Sequence, residues 1–282
     1  VPPDVLGGLD AHRAVVAEMA SPSLKKRWGQ HHLRDGELCR PLVRFLDPAG
    51  ARVVEIGPGG GVLTERLLAA GARVLGCEVD LEWAFHLRRR LPGAAVAVFD
   101  ALDLDWSRLR SPVLAAGNLP FQVATRLIER MLPHSAVVER AAFMVQKEVA
   151  ERLVAGPGDS AYGSLSVLAG AQASVRYLGT VAPGSFRPPP KVAAAFVGFE
   201  LRPPPFPAER LPAFTRLVRL AFAQRRKTLR NALAAGWGRP RAEAMLAAVG
   251  LDHSCRAESL PLETFVALLA AHPHGDKSPC EE

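Results

Sequence analysis

Cysteine is scarce in this chain. Four of 282 residues, Cys39, Cys77, Cys255 and Cys280, stand far apart, with no C-x-x-C pair and no histidine at metal-ligand spacing. Neither a disulfide framework nor a metal site is expected, and the pattern fits a reducing cytoplasm. Long hydrophobic runs are missing too. No segment reaches the roughly 20 apolar residues that a membrane span needs, and no basic-then-apolar signal opens the chain. A cytoplasmic protein is the expectation. No internal repeat is present, which excludes a solenoid. What the chain has is 49% hydrophobic and 22% charged residues, the composition of a folded protein. The length allows one large core and a smaller appended domain. A net charge of +7 favours an anionic partner, nucleic acid first and membrane surface second.

An N-terminal extension, 1–23, holds a short amphipathic stretch from Asp10 to Ala20. From Ala51 onward, β-rich runs alternate with helical ones. Arg52 to Ile56, Arg73 to Cys77, Ala95 to Phe99, Pro112 to Ala116 and Ala141 to Val145 read as strands, apolar on both faces. Buried strands separated by helices predict a parallel sheet covered on both sides, an α/β doubly wound fold. Val175 to Val181 and Val192 to Leu201 predict an antiparallel hairpin closing the sheet edge. The segment 202–208, opening Arg202-Pro203-Pro204-Pro205, is a stiff linker by composition. Residues 209–272 carry helical periodicity alone and predict a small all-helical domain. The tail, 273–282, is polar and is expected to be disordered.

Val53-Val54-Glu55-Ile56-Gly57-Pro58-Gly59-Gly60-Gly61 is a strand running into a glycine cluster, followed by a helix from Val62 to Ala70. Glycines there permit positive φ and close approach of backbone to a ligand. Alone, such a turn is no more than a tight connection. The next strand ends in Gly76-Cys77-Glu78-Val79-Asp80, about twenty residues on, where doubly wound folds hold ribose hydroxyls. Glu78 suits that role, and Asp80 competes for it or caps the helix from Leu81. Asp100-Ala101, after the third strand, suits contact with an adenine ring, or a plain turn.

The fourth strand runs into Gly117-Asn118-Leu119-Pro120-Phe121. An exocyclic aromatic amine is a poor nucleophile because its lone pair is delocalised into the ring. The Asn118 oxygen and the Leu119 carbonyl can each accept one amine hydrogen, drawing the lone pair out. Pro120 restrains Leu119, and Phe121 can stack on the base, a contact worth about 1–3 kcal/mol. Positioning and electrostatics carry such a reaction without a strong base.

With Gly29-Gln30-His31-His32-Leu33, Gln146-Lys147-Glu148, Ala161-Tyr162-Gly163, Phe186-Arg187-Pro188-Pro189-Pro190-Lys191 and Gln224-Arg225-Arg226-Lys227-Thr228, the chain resembles the small-subunit (16S) rRNA adenine N6,N6-dimethyltransferase family, KsgA-type, over roughly Lys25 to Leu269. The resemblance implies a Rossmann-like S-adenosylmethionine-dependent methyltransferase domain over 24–201 and a helical RNA-docking domain after it. It implies dimethylation of two adjacent adenines near the 3′ end of that rRNA. S-adenosyl-L-methionine is the implied methyl donor, an immature small-subunit particle the partner, and a monomer the state. Gln30, His31, Leu33, Gly57, Gly59, Glu78, Asp100, Ala101 and Asn118 are the implied donor-site residues. Asn118, Leu119, Pro120 and Phe121 are the catalytic set, and Phe186 covers the target base. The chain departs from the family at Phe121, where Tyr is usual, at His31, where Asn is common, and at Ala193-Ala194, where Asp-Ser is usual.

Thr215 to Asn231 holds Arg216, Arg219, Arg225, Arg226, Lys227 and Arg230 and no acid. As one continuous helix, it gathers Arg216, Arg219, Arg226, Lys227 and Arg230 within an arc of about 100°. A single-sign face favours phosphate contact over a solvated surface, which mixes signs. Lys25-Lys26-Arg27 with Trp28 makes a second basic patch. The other histidines, His32 among them, are read as surface or structural, and Asp103 and Asp105 as turn residues. Two alternatives stand beside the first reading. One is a large-subunit (23S) rRNA dimethyltransferase of the macrolide-resistance type, and the other is a non-catalytic ribosome-assembly factor.

Overall fold

The computed structural model describes residues 22–23, 31–224 and 227–272. Residues 1–21 of the N-terminal extension, Gln30, the Lys25-Lys26-Arg27 patch with Trp28, Arg225, Arg226 and the tail lie outside the described residues.

Seven strands form the central sheet: β2 (Arg52–Ile56), β3 (Arg73–Glu78), β4 (Ala95–Val98), β5 (Val113–Asn118), β6 (Val138–Gln146), β7 (Ala173–Val181) and β9 (Ala194–Leu201), in the order β4-β3-β2-β5-β6-β9-β7. The five strands from β4 to β6 run parallel, and β9 is antiparallel to both β6 and β7. The expected edge hairpin is therefore present, with β9 lying between the parallel strands and the outer β7. A two-stranded ribbon pairs β1 (His32–Leu33) with β8 (Phe186–Arg187).

Both faces of the sheet are buried, and the period-2 geometry of a strand divides its side chains between them. Val113, Ala115, Phe143 and Val145 join one cluster with α4 (Ala124–Met131). Leu114, Ala116, Ala142 and Met144 join the opposite one with α1 (Arg40–Leu46) and α2 (Val62–Ala69). This is why those strands read as continuous apolar runs. The chain enters at β2, winds outward through β3 and β4, then returns to β5 on the other side of β2. The order reverses there, and such a reversal opens a crevice at the carboxyl ends of the strands.

The C-terminal helices α7 (Leu211–Phe222), α8 (Leu229–Trp237), α9 (Arg239–Ala248) and α10 (Leu262–Ala271) share a third cluster. Packing does not respect the linker. Val167, Leu168 and Ala171 of α6 (Ser164–Gln172), and Tyr162 before it, belong to this cluster. The Tyr162 hydroxyl donates to the Leu260 carbonyl at 2.8 Å, and Arg202 in the linker donates its N–H to Gln172.

The expected continuous helix over Thr215 to Asn231 is corrected. α7 stops at Phe222, and Thr228 takes extended backbone angles as the N-cap of α8, its hydroxyl facing the Asn231 N–H. A hydroxyl at a cap position competes with helix continuation. The single basic arc is therefore not formed.

Gly117 passes close to β2. A Cβ there would lie 2.6 Å from the Ile56 carbonyl oxygen, a backbone atom held in the sheet. Gly117→Ala is expected to cost about 3 kcal/mol, at the upper end of overpacking penalties. Urea denaturation checks this, and an unchanged midpoint would refute the close approach.

Candidate active site

One cavity lies where four strand ends converge. Ile56 and Gly57 close β2, Cys77 and Glu78 close β3, Phe99 and Asp100 follow β4, and Asn118 ends β5, all lining the same space. The glycine loop turns sharply beneath it, with Gly57 at φ +64° and Gly59 at φ +49°. A Cβ on Gly57 would meet no protein atom within 4 Å and would project into the cavity, while one on Gly59 would lie 2.8 Å from His32 Nε2. Gly57 keeps room for a ligand, and Gly59 keeps room for a neighbouring ring.

Glu78 holds that loop. One carboxylate oxygen accepts from the Gly59 N–H and the other from the Asp80 N–H, both at 2.9 Å. Burial pushes the carboxyl up, against the pull of these two amides. Asp80 settles the alternative left by the sequence. It accepts from the Glu82 N–H at 3.1 Å and caps α3 (Leu81–Arg90), and it does not line the cavity. Asp100 accepts from Leu102 at 2.8 Å, starting a short turn, and still lines the cavity with Ala101.

The tetrapeptide forms the opposite wall. The Asn118 amide nitrogen donates to the His31 carbonyl at 2.7 Å. That contact orients the amide, because a reversed amide would set oxygen against oxygen. Leu119 is buried, and its N–H is spent on the Met144 carbonyl at 3.0 Å. The Pro120 carbonyl accepts from Val123 and Ala124, so the turn is anchored to the start of α4. Phe121 lines the cavity with its ring 5.9 Å from that of His31, centroid to centroid, at 29°.

Leu33 and Phe186 face each other across the β1–β8 ribbon, 7% and 0% exposed, and both side chains enter the core cluster with α1 and α2. Neither is among the residues that line the cavity. Strand alternation gives the reason: the residue that faces the cavity is His32, one step before Leu33. Of the surface and structural roles expected for it, His32 takes the structural one, packing edge-on to Trp83 at 4.5 Å. Burial, then the neighbouring His31, pushes its imidazole down to about 4, so it is neutral at ordinary pH. Val79, Phe99, Leu102 and Leu127 also line the cavity. The first three adjoin Glu78, Asp100 and Ala101, so the strand-end rule could have found them.

The basic residues of the helical region are dispersed. Arg219 pairs with Glu129 of α4 at 3.1 Å, Arg230 with Glu243 at 3.6 Å, and Arg216 lies over the Trp237 ring at 5.7 Å. Lys227 sits exposed in the connection between α7 and α8.

Glu55, in the strand that feeds the glycine loop, is 1% exposed, and its Oε2 has no partner among the described residues. Burial, with the Glu78 carboxylate adding to it, pushes this carboxyl up to about 8. A raised folded value means the native state holds a proton that the unfolded chain, near pKa 4.3, has already released. This contribution to stability is therefore full at acid pH and is lost as pH rises toward about 8. Urea midpoints at about pH 5 and about pH 8 are expected to differ more in the wild type than in Glu55→Gln. Equal differences would mean that Glu55 is ionised in the fold.

Residues 22–271 match the family described as ribosomal RNA adenine dimethylase. A ribosomal RNA small subunit methyltransferase A from Syntrophotalea carbinolica is 42% identical over 247 residues, covering 86% of this chain and 94% of that protein. The protein of that name from Pseudomonas aeruginosa is 39% identical, covering 90% and 96%. Among solved structures, a dimethyladenosine transferase from Plasmodium falciparum superposes with a TM-score of 0.70 at 22% identity, covering 85% of this chain and 96% of that one. The 23S rRNA methyltransferase ErmE gives 0.66 at 24%, covering 85% and 98%, a likeness of fold. With a sheet that reverses between β2 and β5, a glycine loop held by Glu78 and an oriented Asn118 at the cavity wall, the chain belongs to the ribosomal RNA adenine dimethylase family.

Proposed function

We propose that this protein transfers methyl groups from S-adenosylmethionine to N6 of two adjacent adenines near the 3′ end of small-subunit (16S) rRNA, yielding N6,N6-dimethyladenine. It acts as a monomer on an immature small-subunit particle in the cytoplasm. The observation that carries the reading is the Asn118 amide, held by its nitrogen so that its oxygen is available to an amine.

The cavity suits the donor. Gly57 leaves the room a Cβ would fill, Glu78 and Asp100 offer carboxylates to hydroxyl groups, and Ile56, Val79 and Phe99 supply apolar walls. When bound, S-adenosylmethionine supplies an electrophilic methyl group on a cationic sulfur. Asn118 Oδ1 and the Leu119 carbonyl then hold the two amine hydrogens and localise the lone pair on nitrogen. Phe121 stacks on the base, and Pro120 keeps the Leu119 carbonyl in place. The relatives at about 40% identity carry small-subunit names, which favours that rRNA over the large-subunit alternative.

For RNA docking, Arg216, Arg219, Arg226, Lys227 and Arg230 remain the residues proposed to meet phosphates, with Lys227 exposed between two helices. Arg216 and Arg219 flank a shallow groove along α7, so a small rearrangement of Arg219 from Glu129 would present both to a backbone.

Transfer of labelled methyl groups to immature small subunits tests the reading. Asn118→Ala is expected to retain RNA binding while losing about 100-fold or more in methyl transfer, the scale of removing an oriented polar group. Near-normal turnover would refute the amine-holding role, and labelling confined to large-subunit rRNA would replace the substrate. Arg226→Ala is expected to weaken RNA binding and flatten its dependence on log salt by about one unit. An unchanged slope removes that residue from the phosphate surface.

A further inference from the structure

The ribbon of β1 and β8 pairs His32 with Arg187 and Leu33 with Phe186 in antiparallel register. Continued by one step, the register sets His31 opposite Pro188. Proline has no N–H and cannot extend the ladder. Its carbonyl is taken instead by the His31 side chain, with Nδ1 at 2.8 Å from Pro188 O. A carbonyl oxygen only accepts, so Nδ1 must carry a proton, which in a singly protonated ring is the Nδ1–H tautomer. The same residue presents its own carbonyl to the Asn118 amide at 2.7 Å and lays its ring beside Phe121.

We propose that the His31 side chain is a positioning residue for the acceptor amine. By tying the segment that bears the His31 carbonyl to Pro188, it locks the Asn118 amide with its oxygen toward the substrate. The proposal deepens the methyl-transfer reading and rests on it. The physical chain is short. The orientation of Asn118 depends on one carbonyl, and that carbonyl sits one residue beyond a two-residue strand whose ladder proline ends. Without the imidazole clasp, the segment is held to β8 by the ladder and by Arg34, whose Nε–H donates to the Phe186 carbonyl at 3.2 Å, but its end at His31 loses the tie to Pro188, and the His31 carbonyl holds the Asn118 amide less firmly. Reversal turns an amine acceptor into a donor facing two amine hydrogens, which opposes catalysis while leaving the cavity intact.

Asparagine is the discriminating substitution. Its Nδ2 occupies the place of the imidazole Nδ1, one bond beyond Cγ, and can donate to Pro188 without the ring. Leucine has a similar reach and no donor. His31 lines the cavity, so both substitutions remove its ring from the site, and the comparison is between the two variants. His31→Leu is expected to have a kcat about tenfold below that of His31→Asn, the scale of one lost hydrogen bond. Thermal unfolding of each variant separates this from loss of fold. Nitrogen-15 shifts of the His31 ring in the wild-type protein without substrates give a readout independent of activity, and the Nδ1–H tautomer is expected. An Nε2–H tautomer, an unimpaired His31→Leu, or a His31→Asn as slow as His31→Leu would each overturn the clasp. If the wild type transfers no methyl group to rRNA while the Nδ1–H tautomer is found, the substrate reading fails and the clasp stands.

Discussion

The approach of β5 to β2 at Gly117 is the contact on which the rest of the site depends. Two parallel strands meet there that are far apart in sequence, and they can lie flush only because residue 117 has no side chain against the Ile56 carbonyl. That closeness sets Asn118 beside the glycine loop that follows Ile56. Donor pocket and acceptor wall therefore share one crevice. A sheet with a bulkier residue at this point would have to splay at its carboxyl end, where the two substrates need to come within bonding distance.

Around that contact the protein places carboxyl groups where charge is costly. Glu55 and Glu78 are both nearly inaccessible, and both are pushed toward the protonated form by burial. They meet the cost differently. Glu78 receives two backbone N–H groups and thereby fixes the glycine loop, so part of its desolvation is offset by bonds that also shape the cavity. Glu55 has an oxygen with no partner among the described residues and resolves the conflict by keeping a proton. One carboxylate is a structural tie facing a ligand cavity, and the other behaves as a neutral polar core residue. Cys39 and Cys77, beside Glu55, are pushed up to about 12 and are inert as thiols.

The sheet and the strand-end residues were legible because they follow from local rules. Buried parallel strands need apolar residues on both faces, and ligands of doubly wound sheets meet the ends of strands. Gly57, Glu78, Asp100 and Asn118 were found on that basis and line one cavity. The facing of Leu33, Phe186 and His32 was not legible because it is set by a two-residue ribbon between segments about 150 positions apart. Nothing in either segment alone says which of two adjacent residues turns inward. The single basic helix failed for a local reason that was visible, Thr228 at a cap position followed by the α8 sequence.

That failure changes how the helical region can engage RNA. A rigid helix bearing five cations would read a backbone by itself. Here Arg219 is spent on Glu129 of α4, a helix packed on the sheet, and Arg230 lies against Glu243. Partly exposed pairs of this kind contribute little to stability, and a phosphate offers a competing partner of the same sign as the carboxylate. The pairs therefore hold the cations in place at small cost until an anion arrives. The Tyr162–Leu260 bond and the shared packing of α6 give the cations a fixed frame relative to the cavity. Binding strength can then reside in the loop around Lys227, and alignment of the target base in the helices that anchor it. The distance between the proposed phosphate contacts and Asn118 is set by a packed core and not by the proline linker that the sequence places between them.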